Sequence, residues 1–244
     1  MNPLILIGFA AFFVVALIVG VRLLLLWRRT RQLPELLMAI GVLGIGPVGF
    51  GCMLTGVLTT SNPGFSNASF ALGMIASASG VLAKCVFNWT VYRRSSIFAM
   101  TVTVAVAATL LGLLGLHVMN GQWAPSGAMA WDSLARSSTQ VACLLWGSTE
   151  SMLYWSKMKK RQKLGMADAV IVDRFLMWGL GAGFAGFGTG LGVVAEIIIG
   201  VPSLQIPWVV SSSSFFGFVA AVAIYLAFVP PARYIAFIRG RARA

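Results

Sequence analysis

Long apolar runs alternate with short polar breaks along the chain, and seven such runs stand out: residues 3–27, 34–60, 70–92, 97–119, 131–157, 170–199 and 207–229. At 1.5 Å rise per residue, each run is long enough as a helix to cross the ~30 Å hydrocarbon core of a bilayer. The pattern predicts an all-α polytopic membrane protein. Residues 1–244 form one domain, a bundle of seven transmembrane helices.

The fifth run departs from its neighbours. At 100° per residue, Asp132, Arg136, Gln140, Cys143, Gly147, Glu150, Ser151 and Tyr154 share one face, within roughly ±60° of one another. Leu134, Val141, Leu145 and Met152 lie on the other. A stripe of this kind cannot face lipid, because each unpaired charge or amide in hydrocarbon costs several kcal/mol. It must turn toward sister helices or toward water held between them. In the plain reading it only staples a bundle through interhelical hydrogen bonds; in the functional one it lines a path or a pocket.

The sixth run is patterned by glycine. Gly179, Gly183, Gly186 and Gly190 fall on one face, and Gly181, Gly188 and Gly192 on the opposite one. Small residues at helical spacing let backbones approach closely, so this helix should be central, with near neighbours on both sides. A third face carries Trp178, Ala182, Ala185, Thr189 and Glu196, and the last carries Leu180, Phe184, Phe187 and Leu191. The G-x-G-x-x-G-like string here follows no strand, so a dinucleotide-binding reading fails its own context test.

The remaining runs add single features. The first has neither a basic leading segment nor a cleavage site and is expected to be a retained helix. In the second, six glycines surround Pro47, which should kink the helix and free a backbone carbonyl. The third puts Ser77, Gly80, Lys84 and Asn88 on one face, with Lys84 near the bilayer midplane. The fourth is nearly featureless; its His117 reads as an interfacial residue rather than a ligand. The seventh places Ser214, Phe218, Ala221 and Tyr225 on one face and stops at Pro230-Pro231. A short basic tail follows to Ala244 and is expected to carry no effector domain. Runs one to three and five to seven share a loose plan, an aromatic-basic exit leading into a glycine-rich helix, as a three-plus-one-plus-three repeat would.

Composition excludes a soluble domain. The chain is 59% hydrophobic and 10% charged, with a mean hydropathy of +0.89 and only six acidic residues. The net charge of +12 would suggest nucleic acid if the charges were not placed as they are. Sixteen of the eighteen Lys and Arg residues lie in regions 22–31, 93–94, 157–174 and 233–243, which are alternate ends of the runs. The intervening ends, 61–69, 121–130 and 200–205, carry none. The positive-inside rule then sets the N-terminus outside and the C-terminus inside, in a plasma or bacterial inner membrane. The basic face is expected to contact anionic lipid and not nucleic acid. Trp27, Trp89 and Trp155 mark one interface and Trp123, Trp131 and Trp208 the other, leaving Trp146 and Trp178 for the interior.

Chemistry is narrowed mainly by exclusion. The last run has no lysine for a retinal Schiff base, and one histidine cannot supply bis-histidine haem ligation. Cys52, Cys85 and Cys143 all sit in apolar runs, with no zinc-ligand spacing. No cofactor is expected. No nucleophile–base set appears at one depth, so the chain is not expected to be an enzyme. Lys84 is expected to pair with Glu150, with Asn88 nearby, and Asp132 with Arg136 at i,i+4, which Glu196 could also approach. The candidate ligand-binding or ion-path residues are Lys84, Asn88, Arg136, Gln140, Glu150, Tyr154, Trp178, Thr189, Glu196, Ser214 and Tyr225. Three functions fit. The first is a heptahelical, receptor-like sensor of a small or lipophilic ligand that couples to a separate partner. The second is a small transporter or an ion- or proton-conducting protein using the fifth helix. The third is a non-catalytic accessory subunit of a larger membrane complex, where a membrane-protein partner or a second copy would be needed.

Overall fold

The computed structural model describes residues 3–121, 123 and 131–243. All regular structure among them is helical: α1 (Pro3–Thr30), α2 (Leu33–Leu58), α3 (Pro63–Tyr92), α4 (Ile97–Asn120), α5 (Trp131–Lys163), α6 (Ala169–Ile199), α7 (Pro207–Phe228) and α8 (Ala232–Arg243). Among the described residues, six of these helices (α1–α4, α6 and α7) are long and apolar enough to cross a membrane. The chain is an integral membrane protein. The long helix outside that set is α5, whose polar stripe lowers its hydropathy. Six of the seven expected runs thus qualify by apolarity, and the seventh is a full-length helix of different character.

Local chemistry explains the ends. Asn62, Ser96 and Asp168 cap α3, α4 and α6 by accepting N–H bonds from Phe65, Ala99 and Val170. Pro63 and Pro207 occupy first-turn positions, where their missing N–H is not needed. Gly121 and Gly200 close α4 and α6 at φ of 63° and 76°, the left-handed conformation that glycine adopts without a Cβ penalty. The α1–α2 connection is only Arg31 and Gln32. Arg31 takes φ 58° there and lays its guanidinium over the Trp27 ring, while the Thr30 hydroxyl bonds the Glu35 carboxylate.

Pro47 does not break α2. Residues Gly44–Phe50 widen into a π-helical turn, which absorbs the ring and the missing donor without ending the helix. The same stretch meets α3 at backbone distance. A Cβ on Gly80 would lie 2.8 Å from the Ile45 nitrogen, and one on Gly73 would lie 2.8 Å from the Gly49 oxygen. The glycines of α2 and α3 therefore serve interlock rather than flexibility.

Six helices close a ring. α1 packs on α2 and α7, α2 on α3, α3 on α5, α5 on α6, and α6 on α7. α4 stands outside, leaning mainly on α3, and exposes Val104, Leu111 and Leu116 outward. The two glycine faces of α6 each receive one neighbour. Cβ atoms on Gly179, Gly183, Gly186 and Gly190 would meet Met152, Ser148, Leu144 and Val141 of α5. Those on Gly181, Gly188 and Gly192 would meet Ile224, Phe216 and Val209 of α7, with Ser203 also beside Gly192. Serine hydroxyls reinforce both seams: Ser148 donates to the Gly179 carbonyl (2.7 Å) and Ser213 to that of Gly188 (3.3 Å). α6 is thus a wall helix with near neighbours on both sides, not a central post. The C-terminal tail forms α8, tied to α6 by the Tyr234 hydroxyl, which donates to Asp173 at 2.8 Å.

Candidate functional site

The third face of α6, between its two glycine seams, looks into the ring. There Trp178, Ala182, Ala185, Thr189 and Glu196 line a cavity of about 300 Å³. Phe9, Phe12 and Ala16 of α1 close it on one side, joined by Gly41, Val42 and Phe50 of α2. Ser137, Gln140 and Leu144 of α5 and Ser213 and Gly217 of α7 complete the wall. It reaches from Ser203, in the α6–α7 connection, to Lys84 and Trp178. Among the described residues, none of α4 lines it. The volume falls within the range of small-molecule sites (about 300–1,000 Å³), as does the pattern of an apolar lining with a few polar groups.

Among the described residues, Lys84 is the only cation in the lining. It is 6% exposed, and its ammonium stands 4.3 Å from the centre of the Trp178 ring. The described residues include all six acidic ones, and none is within 4 Å of it. The expected ion pair with Glu150 does not form. The register of α3 against α5 explains why. Cys85 meets Cys143 with the two sulfurs 3.0 Å apart, and Asn88 covers Gly147, where a Cβ would lie 3.2 Å from the amide. Glu150 is then level with the end of α3, and Arg93 donates from Nε to both of its carboxylate oxygens at 2.9 and 3.0 Å. The indole of Trp146 adds a third donor at 3.2 Å. Lys84 lies some eight residues higher on α3, roughly 12 Å at 1.5 Å per residue, beyond the reach of that carboxylate.

The other expected pairings also resolve differently. Asp132 accepts from His117 Nε2 of α4 at 2.9 Å rather than from Arg136, and His117 stacks on Trp123. His117, expected as an interfacial residue rather than a ligand, is thus engaged with a carboxylate. Arg136 sits beside this pair in a small recess between α3, α4 and α5. Glu196 accepts the Ser203 N–H at 3.3 Å, away from Arg136. Asn67 is occupied too: its Oδ1 accepts the Trp123 N–H (2.7 Å) and its Nδ2 donates to the Gly121 carbonyl (3.2 Å). The lysine- and arginine-free connection over 122 and 124–130 lies outside the described residues.

The polar stripe of α5 is mostly packed shut. Cys143, Gly147, Glu150 and Ser151 are buried against α3 and α6; the Ser151 hydroxyl donates to the Phe175 carbonyl at 2.8 Å. Only Gln140 of the stripe reaches the cavity, accompanied by Ser137 and Leu144 on the adjoining face. Of the candidate residues, Lys84, Gln140, Trp178, Thr189 and Glu196 come together on this cavity. Asn88 is 2% exposed beside Gly147, and its Nδ2 has no partner among the described residues. Tyr154 lies outside the cavity lining, 4.6 Å from the Phe175 ring. Ser214 is buried against Gly8, and Tyr225 lines neither this cavity nor the one described next.

A second cavity, of about 420 Å³, opens toward the basic end of the ring between Arg22, Glu35, Tyr92 and Arg174. Trp178 belongs to both cavity walls. It is 5% exposed, packs edge-on against Phe228 at 5.5 Å, and its indole N–H has no partner among the described residues. The aromatic contribution of α1 and α2 (Phe9, Phe12 and Phe50) was missed by sequence reasoning, although Phe9, Phe12 and Ala16 follow the i, i+3, i+7 spacing of one helix face.

No protein-family model, curated protein or solved structure matches this chain.

Proposed function

We propose that the protein is a seven-span, receptor-like membrane sensor that binds a small lipophilic ligand inside its helix ring. α5 is the seventh span in this reading. Its polar side is covered by α3 and α6, so hydropathy alone understates its fitness for the membrane. The basic ends of the helices face the cytoplasm and the N-terminus lies outside, as the Lys and Arg distribution supports. A reporter or impermeant-thiol probe at Ser61 should therefore read external, and one at Gly240 internal.

One observation carries the reading: a single apolar cavity inside the ring gathers Lys84, Gln140, Thr189, Ser213 and Glu196, drawn from four helices. Thr189, Ser213 and Glu196 each bond a backbone group, but Lys84 faces the cavity with no carboxylate within 4 Å among the described residues, which stapling alone does not call for. The test is native mass spectrometry of the chain extracted from membranes, beside Thr189→Trp, which fills the cavity. A lipophile carried by the wild type and absent from the variant supports the proposal. Identical small-molecule content in both defeats it.

Trp178 favours a second reading, a transporter. It stands between the two cavities, so rotation of one side chain would join them into a path through the ring. Reconstituted vesicles distinguish the two. A sensor gives no flux in either wild type or Trp178→Ala, whereas a transporter gives flux that Trp178→Ala changes several-fold.

A further inference from the structure

The cavity floor holds a charge that no carboxylate among the described residues answers. Lys84 is more than nine-tenths buried, lines the cavity and has no carboxylate within 4 Å among the described residues. The chain also makes room for it. A Cβ on Gly41 would lie 2.6 Å from Lys84 Cγ, so glycine at that position lets the lysine stem pass α2 and reach the ring interior. Trp178 supports the ammonium through its ring face, and among the described residues no hydrogen-bond acceptor meets its three N–H donors. Glu196, the one carboxylate on the cavity among the described residues, is already engaged with the Ser203 N–H in the α6–α7 connection. Between floor and connection the α1 and α2 side of the wall is aromatic and aliphatic, with Phe9 and Phe50 stacked at 5.7 Å and Phe12, Val42 and Ile45 alongside, while Gln140, Thr189 and Ser213 stand on the α5–α7 side.

We propose that the cavity binds an amphipathic anion, whose carboxylate or phosphate head pairs with Lys84 while its apolar body lies among Phe9, Phe12 and Phe50. The inference rests on the ligand-binding reading above and narrows it to one class of ligand. A buried ammonium without a counter-charge is costly; an anionic head supplies both the charge and the missing acceptors. A neutral lipophile would fill the same volume and leave Lys84 as it is, so charge on the head should dominate selectivity.

The test uses the full chain in nanodiscs of zwitterionic lipid, titrated calorimetrically with four probes of equal chain length: decanoate, decyl phosphate, decanol and decyltrimethylammonium. Heats from empty nanodiscs are subtracted. The expected result is saturable binding of the two anions, with decanol at least tenfold weaker and the cation weaker still. Tighter binding of decanoate assigns the head to a free carboxylate, and tighter binding of decyl phosphate assigns it to a phosphorylated lipid. Lys84→Met, near-isosteric and uncharged, should lose at least tenfold in anion affinity and little in decanol affinity. Equal affinity of the wild type for decanoate and decanol overturns the proposal without recourse to any variant, as does full anion affinity in a folded Lys84→Met. If decanol and decanoate bind equally and Thr189→Trp abolishes both, the cavity remains a ligand site and only the anion assignment fails. If no probe saturates, both readings fall.

Discussion

Two cations enter the ring from the same helix, and they are treated in opposite ways. Arg93, at the end of α3, has a carboxylate of its own: Glu150 receives its Nε bidentately, and Trp146 completes the cluster. Lys84, higher on α3, has only the face of Trp178 among the described residues. The first arrangement satisfies its charges within the protein and has nothing left to offer a ligand. The second leaves donors aimed into a cavity. Intramembrane charge is often taken as a mark of function; here the more informative feature is whether the charge is paired.

The largest effect should come from breaking the satisfied pair. Arg93→Ala leaves the Glu150 carboxylate buried with one indole N–H, and we expect a loss of about 2–3 kcal/mol, with a clear fall in the thermal unfolding midpoint in detergent. Arg93 is itself half-exposed, which keeps the figure below that of a fully buried pair. Glu150→Gln keeps the shape and an acceptor, so it should cost about 1 kcal/mol. If Arg93→Ala and Glu150→Gln both leave the midpoint unmoved, the cluster is not what fixes α3 against α5.

Gly41→Ala comes next. Its methyl group would press on Lys84 Cγ and should cost about 1–2 kcal/mol in overpacking. In a Lys84→Ala background most of that cost should vanish, a coupling that a double-mutant cycle reads directly. A cycle that closes additively would show that Gly41 does not make room for the lysine.

Lys84→Met should be smaller still, within about 1 kcal/mol and of either sign. Losing the cation–π contact is offset by no longer burying an unpaired ammonium. A loss of several kcal/mol would mean that Lys84 has a structural partner and that the contrast with Arg93 is false.

The contrast between these two cations also marks how far the sequence could be read. Hydropathy located every long helix, because length and apolarity are properties of single segments, but α3 begins seven residues before its expected run, inside what reads as an outer loop, and α5 continues six residues beyond its own into the basic segment. The glycine faces of α6 anticipated its two seams, since a helix with Gly179, Gly183, Gly186 and Gly190 on one side must be closely approached there. The inward face that carries Trp178, Thr189 and Glu196 followed by subtraction. Pairing was not legible. Whether Glu150 meets Lys84 or Arg93 depends on the axial register of α3 against α5, and no single helix encodes it. The contact of Cys85 with Cys143 sets that register, and neither cysteine carries a sequence signal of a partner. The π-helical widening at Pro47 was not legible either: a proline removes a donor in any helix, but how the backbone absorbs it depends on what its neighbours allow, and here α3 lies against Gly44 and Gly49. The amphipathic tail α8 went unnoticed because its residues look like a basic flank until Tyr234 is seen to bond Asp173.

The register itself can be tested with almost no perturbation. Cys85 and Cys143 are buried with sulfurs 3.0 Å apart, while Cys52 lies elsewhere, half-buried on α2. A membrane-permeant oxidant acting on the chain carrying Cys52→Ser should join α3 to α5, with a mass decrease of two hydrogens. Cleavage in the connection between them would then leave the fragments linked under non-reducing conditions. Cys143→Ser should abolish the link, while Lys84→Met should not affect it. Because the sulfurs already touch, the thermal midpoint before oxidation should match that of the wild type within error. A register slipped by two turns, which would bring Glu150 up to Lys84, would carry Cys143 about 11 Å along α3 and away from Cys85. Failure to cross-link in the folded protein would therefore reopen the Lys84–Glu150 pair, and with it the case for a structurally satisfied lysine.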